Sequence, residues 1–205
     1  MAKTEHYFTM FEPDCIYHVF NRSVDRKPLF KSHDNYLFFL SRVEKYLLPV
    51  LDVYAYCLMG NHFHLVIAIK PAETFTAAGM TTDKQVHNFI SSHFRKMFQS
   101  YAMAFNKQHN RIGTLFQTPF KRARVHNEQY LTRLVRYVHL NPQLHGICKD
   151  FKDWAYSSYD ALTDGNNHLT RQEIVWSYFG SKVNFIACHE DTALQFDDLQ
   201  TLEED

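Results

Sequence analysis

Apolar residues recur at helical spacing between His33 and Leu48, where Tyr36, Leu37, Leu40, Val43, Tyr46 and Leu47 fall on one side and Pro49 closes the run. A longer stripe, Val86, Phe89, Ile90, Phe94, Met97, Phe98, Tyr101 and Phe105, predicts an amphipathic helix over Gln85 to Asn106. Elsewhere the pattern shortens to strand-like runs: Cys15 to Arg22, Val53 to Met59, and His62 to Ile69, the last two joined by Gly60-Asn61, a hairpin signal. Leu115 to His126 also reads as strand, with Pro119 confining it to an edge or a bulge. Pro71 to Asp83 is polar and aperiodic and reads as a loop. Asn127 is placed to cap a helix from Glu128 to about Leu140, which should stop before Pro142.

The resulting order is strand, helix, strand, strand, helix, strand, helix. It predicts an α/β (α+β) chain with a ferredoxin-like antiparallel sheet, helices on one face and one helix added after the last strand. Composition changes near residue 151, so the expected division is 1–150 as one domain and 151–205 as a small helical extension with an acidic tail. With 205 residues, 45% of them apolar, the chain can bury one sizeable core. No stretch approaches the roughly 20 apolar residues of a membrane span, and Met1 to His6 lacks a leader-like run, so a soluble, cytoplasmic protein without a membrane partner is expected. Cys15, Cys57, Cys148 and Cys188 lie far apart, which argues against a zinc knuckle or a redox pair.

A formal net charge of zero seems to disfavour an anionic partner, but the charge is unevenly distributed. Lys84, Arg95, Lys96, Lys107, Arg111, Lys121, Arg122, Arg124, Arg133 and Arg136 are opposed only by Glu128 within their span, whereas everything charged after Lys182 is acidic. The middle of the chain can therefore offer phosphate a basic surface, with the acidic tail as a competitor for it.

The chemistry-bearing pattern begins at His62-Phe63-His64. On a strand both imidazoles project from one face and Phe63 from the other, which makes half a metal site, although thirteen histidines make such a pair unremarkable alone. On the following helix Arg133, Tyr137 and Asn141 stand at i, i+4 and i+8, along the flank of an apolar face formed by Leu131, Leu134, Val135 and Val138. That ridge suits phosphoryl transfer: a phenol to attack phosphorus, a guanidinium to steady charge, and an amide oxygen as a third metal ligand; the alternative is that Tyr137 merely packs. His139 and His145 are rival ligands; His139 lies about 200° around the helix from Tyr137 and should face away, whereas the direction of His145 is not readable. Lys121 and Arg122-Ala123-Arg124 could grip a nucleic-acid backbone only in part, because strand alternation sends them to opposite faces; Arg22 is a further candidate contact, and Phe116 and Phe120 could stack on bases or fill the core.

Four spaced segments give the pattern a family likeness: Met59-Gly60-Asn61-His62-Phe63-His64-Leu65-Val66, Gly113 to Lys121, Arg136-Tyr137-Val138-His139-Leu140-Asn141-Pro142, and Trp154 to Tyr159. With the opening Tyr17-His18-Val19-Phe20-Asn21-Arg22, the chain resembles the single-tyrosine HUH transposases over about residues 15 to 160, and within them the REP-associated tyrosine transposases. Gly60 stands where many of these proteins have proline. The resemblance implies Mg²⁺ or Mn²⁺ held by His62 and His64 with Asn141, and Tyr137 as nucleophile. It further implies hairpin-forming single-stranded DNA as substrate, a 5′-phosphotyrosine intermediate and a homodimer. A DNA- or RNA-binding protein of the same fold without turnover, and a metal-dependent hydrolase using water, are the competing expectations.

Overall fold

A computed structural model of the chain describes residues 9–165 and 168–191, so the last acidic residues, from Asp197 on, lie outside it. Strands β1 (Ile16–Arg22), β2 (Leu51–Leu58), β3 (His62–Ile69) and β4 (Lys121–Val125) form one antiparallel sheet in the order β2-β3-β1-β4. This is the ferredoxin-like arrangement that the order of elements predicts. Helix α1 (His33–Leu47) joins β1 to β2, and α3 (Asp83–Gln108) joins β3 to β4. A capping box fixes the start of α3: the Thr82 hydroxyl accepts from the Gln85 amide, and the Gln85 side chain returns to Thr82.

Strand alternation divides the sheet into two chemically distinct faces. Tyr17 and Val19 of β1 and Phe63, Leu65 and Ile67 of β3 pack under α1 and α3 with Phe39, Phe94 and Tyr101. Val66 and Ala68 of β3 turn the other way, against Leu131, Leu134, Val135, Tyr137 and Val138 of helix α4 (Glu128–Leu144). In β2 a register irregularity between Val53 and Ala55 shifts the phase: Leu51 and Val53 face the first core, but beyond the bulge Tyr56 and Leu58 do.

The expected fold itself is found: α1 and α3 lie on one face of the sheet, and the added helix α4 with the C-terminal helices α5 (Tyr159–Asp164), α6 (Gln172–Tyr178) and α7 (Lys182–Glu190) packs on the other. Three expectations are corrected. The strand expected over 115–126 pairs regularly only at Lys121–Val125, because Pro119 cannot donate to a ladder; upstream, a single bridge joins Phe116 to Ser23. The aperiodic stretch after Pro71 contains a short helix, α2 (Ala72–Ala77), held down by buried Phe75. Helix α4 continues through Pro142 to Leu144. Proline so near a helix end forfeits one backbone bond, and the end is closed by Gly146 at φ +67° with the Ile147 amide donating to the Pro142 carbonyl at 2.8 Å. The extra turn keeps Asn141 in helical phase with Tyr137.

The segment after residue 150 shares the second core, with Phe151, Tyr159, Leu162, Val175 and Phe185 buried against α4 and β2. Its backbone also covers the outer edge of β2: Leu58 donates to Tyr156, Ser158 to Tyr56, and Arg171 to Val53. Among the described residues, no helix is long and apolar enough to cross a membrane.

Candidate active site

Helix α4 runs opposite to β3, so positions later on the helix lie beside positions earlier on the strand. Tyr137 thereby meets His64, ring centroids 5.7 Å apart, and His145 meets His62 at 5.4 Å. These four residues line one cavity of about 340 Å³ with Phe20, Arg22, Arg26 and Lys121 among its other walls. Three of the lining residues are cationic and none is a carboxylate, so the cavity suits an anion. Arg26 is brought there by a turn in which Asp25 and Arg26 both adopt positive φ, 62° and 56°, conformations that L side chains rarely take.

Both candidate ligand histidines are held through the same ring nitrogen. Nδ1 of His62 is 2.7 Å from Oδ1 of Asn61, whose amide nitrogen donates to the Arg26 carbonyl and so fixes which way the amide points. An amide oxygen only accepts, so Nδ1 of His62 carries the proton and Nε2 keeps its lone pair. Nδ1 of His64 is likewise engaged, 2.9 Å from Nε2 of buried His18. Burial, reinforced by Arg22 and His145, lowers the pKa of His62 to about 4. Burial, with His18 and His62 next, holds His64 well below its ordinary value. Both rings are therefore neutral at pH 7, the state a metal requires.

The residues fit a divalent cation. Ring nitrogens each about 2.1 Å from one ion hold imidazole centroids roughly 4.5–5.5 Å apart, and His62 and His64 stand at 5.3 Å. One turn beyond Tyr137, the side chain of Asn141 is fully buried and reaches the His62 ring, and among the described residues neither Oδ1 nor Nδ2 finds a partner in good hydrogen-bonding geometry. A buried amide without partners costs stability unless something else occupies it. Among the described residues, no three His, Cys, Asp or Glu side chains are grouped to hold a metal ion, so His145 does not join His62 and His64 as a third ligand.

Of the residues expected to contact DNA, Arg22 and Lys121 reach the cavity; Arg122, Arg124 and Arg133 do not. Arg122 alternates to the first face, where its Nε donates to the Thr9 carbonyl and its guanidinium packs on Phe11 and Phe120. Arg124 pairs with Glu12 at 2.9 Å and contacts the Cys15 sulfur. Arg133 shares the ridge of Tyr137 but stands exposed one turn earlier, and earlier on α4 means farther from the start of β3. Phe116 is buried in the first core. His139 faces away from the cavity, as its angle around the helix implies, bonding His189 and Ser158 at 2.8 Å each. His18, Asn61 and Arg26 were not singled out by spacing, since two belong to partnerships across strands or turns and the third depends on an unusual backbone turn.

The fold and the cavity define a ferredoxin-like protein that sets a tyrosine helix against a His-x-His strand. No family model matches the chain. It is similar to a Haemophilus influenzae protein named as a REP-associated tyrosine transposase, 24% identical over 110 residues, which is 53% of this chain and 58% of that relative. The chain thus spans little more than half the length of that relative. Among solved structures, it is similar to one of a REP-associated tyrosine transposase bound to a REP hairpin, with a TM-score of 0.59 and 16% identity over 77% of this chain and 83% of that one. Both comparisons reach the family that the four motifs resemble, and the second establishes the shared fold.

Proposed function

We propose that this protein cleaves and rejoins hairpin-forming single-stranded DNA through a covalent link to Tyr137. The observation that carries the reading is the meeting of Tyr137 with His62 and His64 in one cationic cavity, 5.7 Å separating the Tyr137 and His64 rings. A phosphodiester resists attack because its oxygens are anionic, and Arg22, Arg26 and Lys121 offset that charge where the strand would lie. The Tyr137 oxygen forms a bond to phosphorus as the bond to the 3′-oxygen breaks, giving a 5′-phosphotyrosine and a 3′-hydroxyl once the phenol proton has moved to the leaving oxygen. Rejoining is the reverse: a 3′-hydroxyl attacks and the phenol is regenerated. His62, His64 and Asn141 would hold Mg²⁺ or Mn²⁺, which supplies charge neutralisation and orientation to a non-bridging phosphate oxygen. The similar solved structure is of a REP-associated tyrosine transposase bound to a REP hairpin, and the likeness supports a hairpin partner here. The family resemblance also implies a homodimer, but Tyr137, His62 and His64 meet within one chain, so the proposed chemistry borrows no residue from a second copy.

The test is to incubate the full chain with a single-stranded hairpin oligonucleotide and Mn²⁺ and look for a covalent adduct on denaturing gels. Wild type forms the adduct; Tyr137→Phe keeps the packing, binds the hairpin and forms none. An adduct in the Phe variant removes Tyr137 as nucleophile. Binding without any cutting in wild type favours the protein that binds without turnover, and cutting without an adduct favours attack by water.

A further inference from the structure

Behind the His62 and His64 pair stands a third histidine that the proposed chemistry does not use. His18 lies on β1, where it pairs with Val66 of β3, so His64 is its diagonal neighbour on the same face. It is 2% exposed, and its ring stacks on Phe20 at 4.7 Å and runs nearly parallel to His64, 17° between the planes. Burial and the Phe20 ring against one face hold the His18 ring, and its Nε2 lies 2.9 Å from Nδ1 of His64, the two rings meeting edge to edge.

One proton lies between those two nitrogens, and its owner decides whether His64 can bind a cation. If His18 donates it, His64 accepts at Nδ1 and carries its own proton on Nε2, which cannot then ligate. If His64 donates from Nδ1, its Nε2 lone pair is free for the cavity. The Asn61 amide imposes the second arrangement on His62, because its oxygen has no proton to give.

We propose that His18 is a positioning residue that accepts a hydrogen bond from Nδ1 of His64 and so locks His64 in the tautomer that presents Nε2 to the metal. This rests on the metal reading of the cavity proposed above. His18 touches neither ion nor substrate; it acts only through His64, as carboxylates and carbonyls do behind ligand histidines elsewhere. Glutamine at position 18 can place an amide oxygen near the site of Nε2 and accept the same bond, whereas alanine removes the acceptor and leaves the His64 ring free to rotate.

The experiment titrates the full chain with Mn²⁺ alone, reading free Mn²⁺ by electron paramagnetic resonance, in wild type, His18→Ala and His18→Gln. Binding of a hairpin oligonucleotide in EDTA is measured in parallel. His18→Ala should lose about 10- to 100-fold in Mn²⁺ affinity, and His18→Gln should recover most of it, while hairpin binding in EDTA stays equal in all three. Alanine equal to wild type, or glutamine as weak as alanine, overturns the positioning role while leaving the metal site in place. A wild type that binds no Mn²⁺ overturns the metal reading itself. Should alanine fail to fold, ¹⁵N imidazole spectra of metal-free wild type decide: His64 protonated on Nδ1 upholds the role, and His64 protonated on Nε2 overturns it.

Discussion

Under α1 and α3 the sheet buries Tyr17, Val19, Phe63, Leu65 and Ile67 against Phe39, Phe94 and Tyr101; under α4 and beside it the same two strands offer His18, His62, His64 and Val66. The first face has few buried polar groups, and two of them bond across the fold: Asn35 donates to Gln108 and Arg122 to the Thr9 carbonyl. The second buries His64, Arg136, His139, Asn141, Ser158 and His189, several bonded to one another and two with atoms that have no partner. Apolar side chains of similar volume are interchangeable at modest cost, whereas buried polar groups need particular partners. The first face therefore supplies stability that many sequences could supply, and the second supplies a constellation that few could.

The largest effect expected of this division falls on the first face. Phe39 is fully buried and its ring meets those of Phe30, Phe63, Tyr101 and Phe116. Phe39→Ala should cost about 3–5 kcal/mol in denaturant unfolding, with adduct formation per folded molecule unchanged. A small loss of stability joined to a large loss of adduct formation would break the comparison, because chemistry would then depend on both faces.

The same contrast explains what the sequence makes legible. The aromatic stripes of α1 and α3 announce themselves through period, and the His-x-His alternation and the helical ridge are local rules that single out Tyr137, His62 and His64, which the fold brings to one cavity. His18 is invisible to such rules, since its role comes from a diagonal contact between β1 and β3, 46 positions apart. Arg133 shows the reverse limit: it shares the ridge of Tyr137, yet the antiparallel run of α4 on β3 carries it away from the cavity. The extension of α4 past Pro142 depended on the glycine turn after it, which a rule about proline alone does not include. The place of the C-terminal helices on the second face was hidden for a similar reason, as they bury only a few residues each and show no long stripe.

Acid should separate the faces next. Burial lowers His189 and His62 to about 4 each and holds His64 and His139 well below the ordinary value of 6.5. The unfolded chain takes up these protons first as pH falls, so stability is full above about 6.5 and is lost progressively toward pH 4. For His189 alone, 2% exposed, the loss at pH 4 is about 3 kcal/mol. Urea unfolding of the metal-free chain at intervals from pH 7.5 to 4.5 should show the decline, His189→Gln should make it shallower, and Phe39→Ala should lower the whole curve without changing its shape. A flat profile in wild type would mean that the second face does not hold its histidines neutral.

The smallest effect expected is electrostatic and concerns where the second face opens to its substrate. Lys121 lines the cavity, its ammonium 5.5 Å from the centroid of the Phe20 ring, while Arg133 stands exposed on the same helix as Tyr137 but outside the cavity. Both remove one positive charge when changed to alanine, so a general loss of charge would weaken hairpin binding equally. A specific phosphate contact at Lys121 has another signature. It releases counterion on binding, so Lys121→Ala should weaken binding several-fold at low salt and reduce the slope of log affinity against log salt by about 0.7 for single-stranded DNA. Arg133→Ala should leave that slope close to wild type. The measurement is hairpin affinity in EDTA from about 0.05 to 0.2 M salt, a range over which screening of distant charges increases but a direct contact persists. A slope for Lys121→Ala equal to that of wild type would take the phosphate path away from Lys121 and its wall of the cavity.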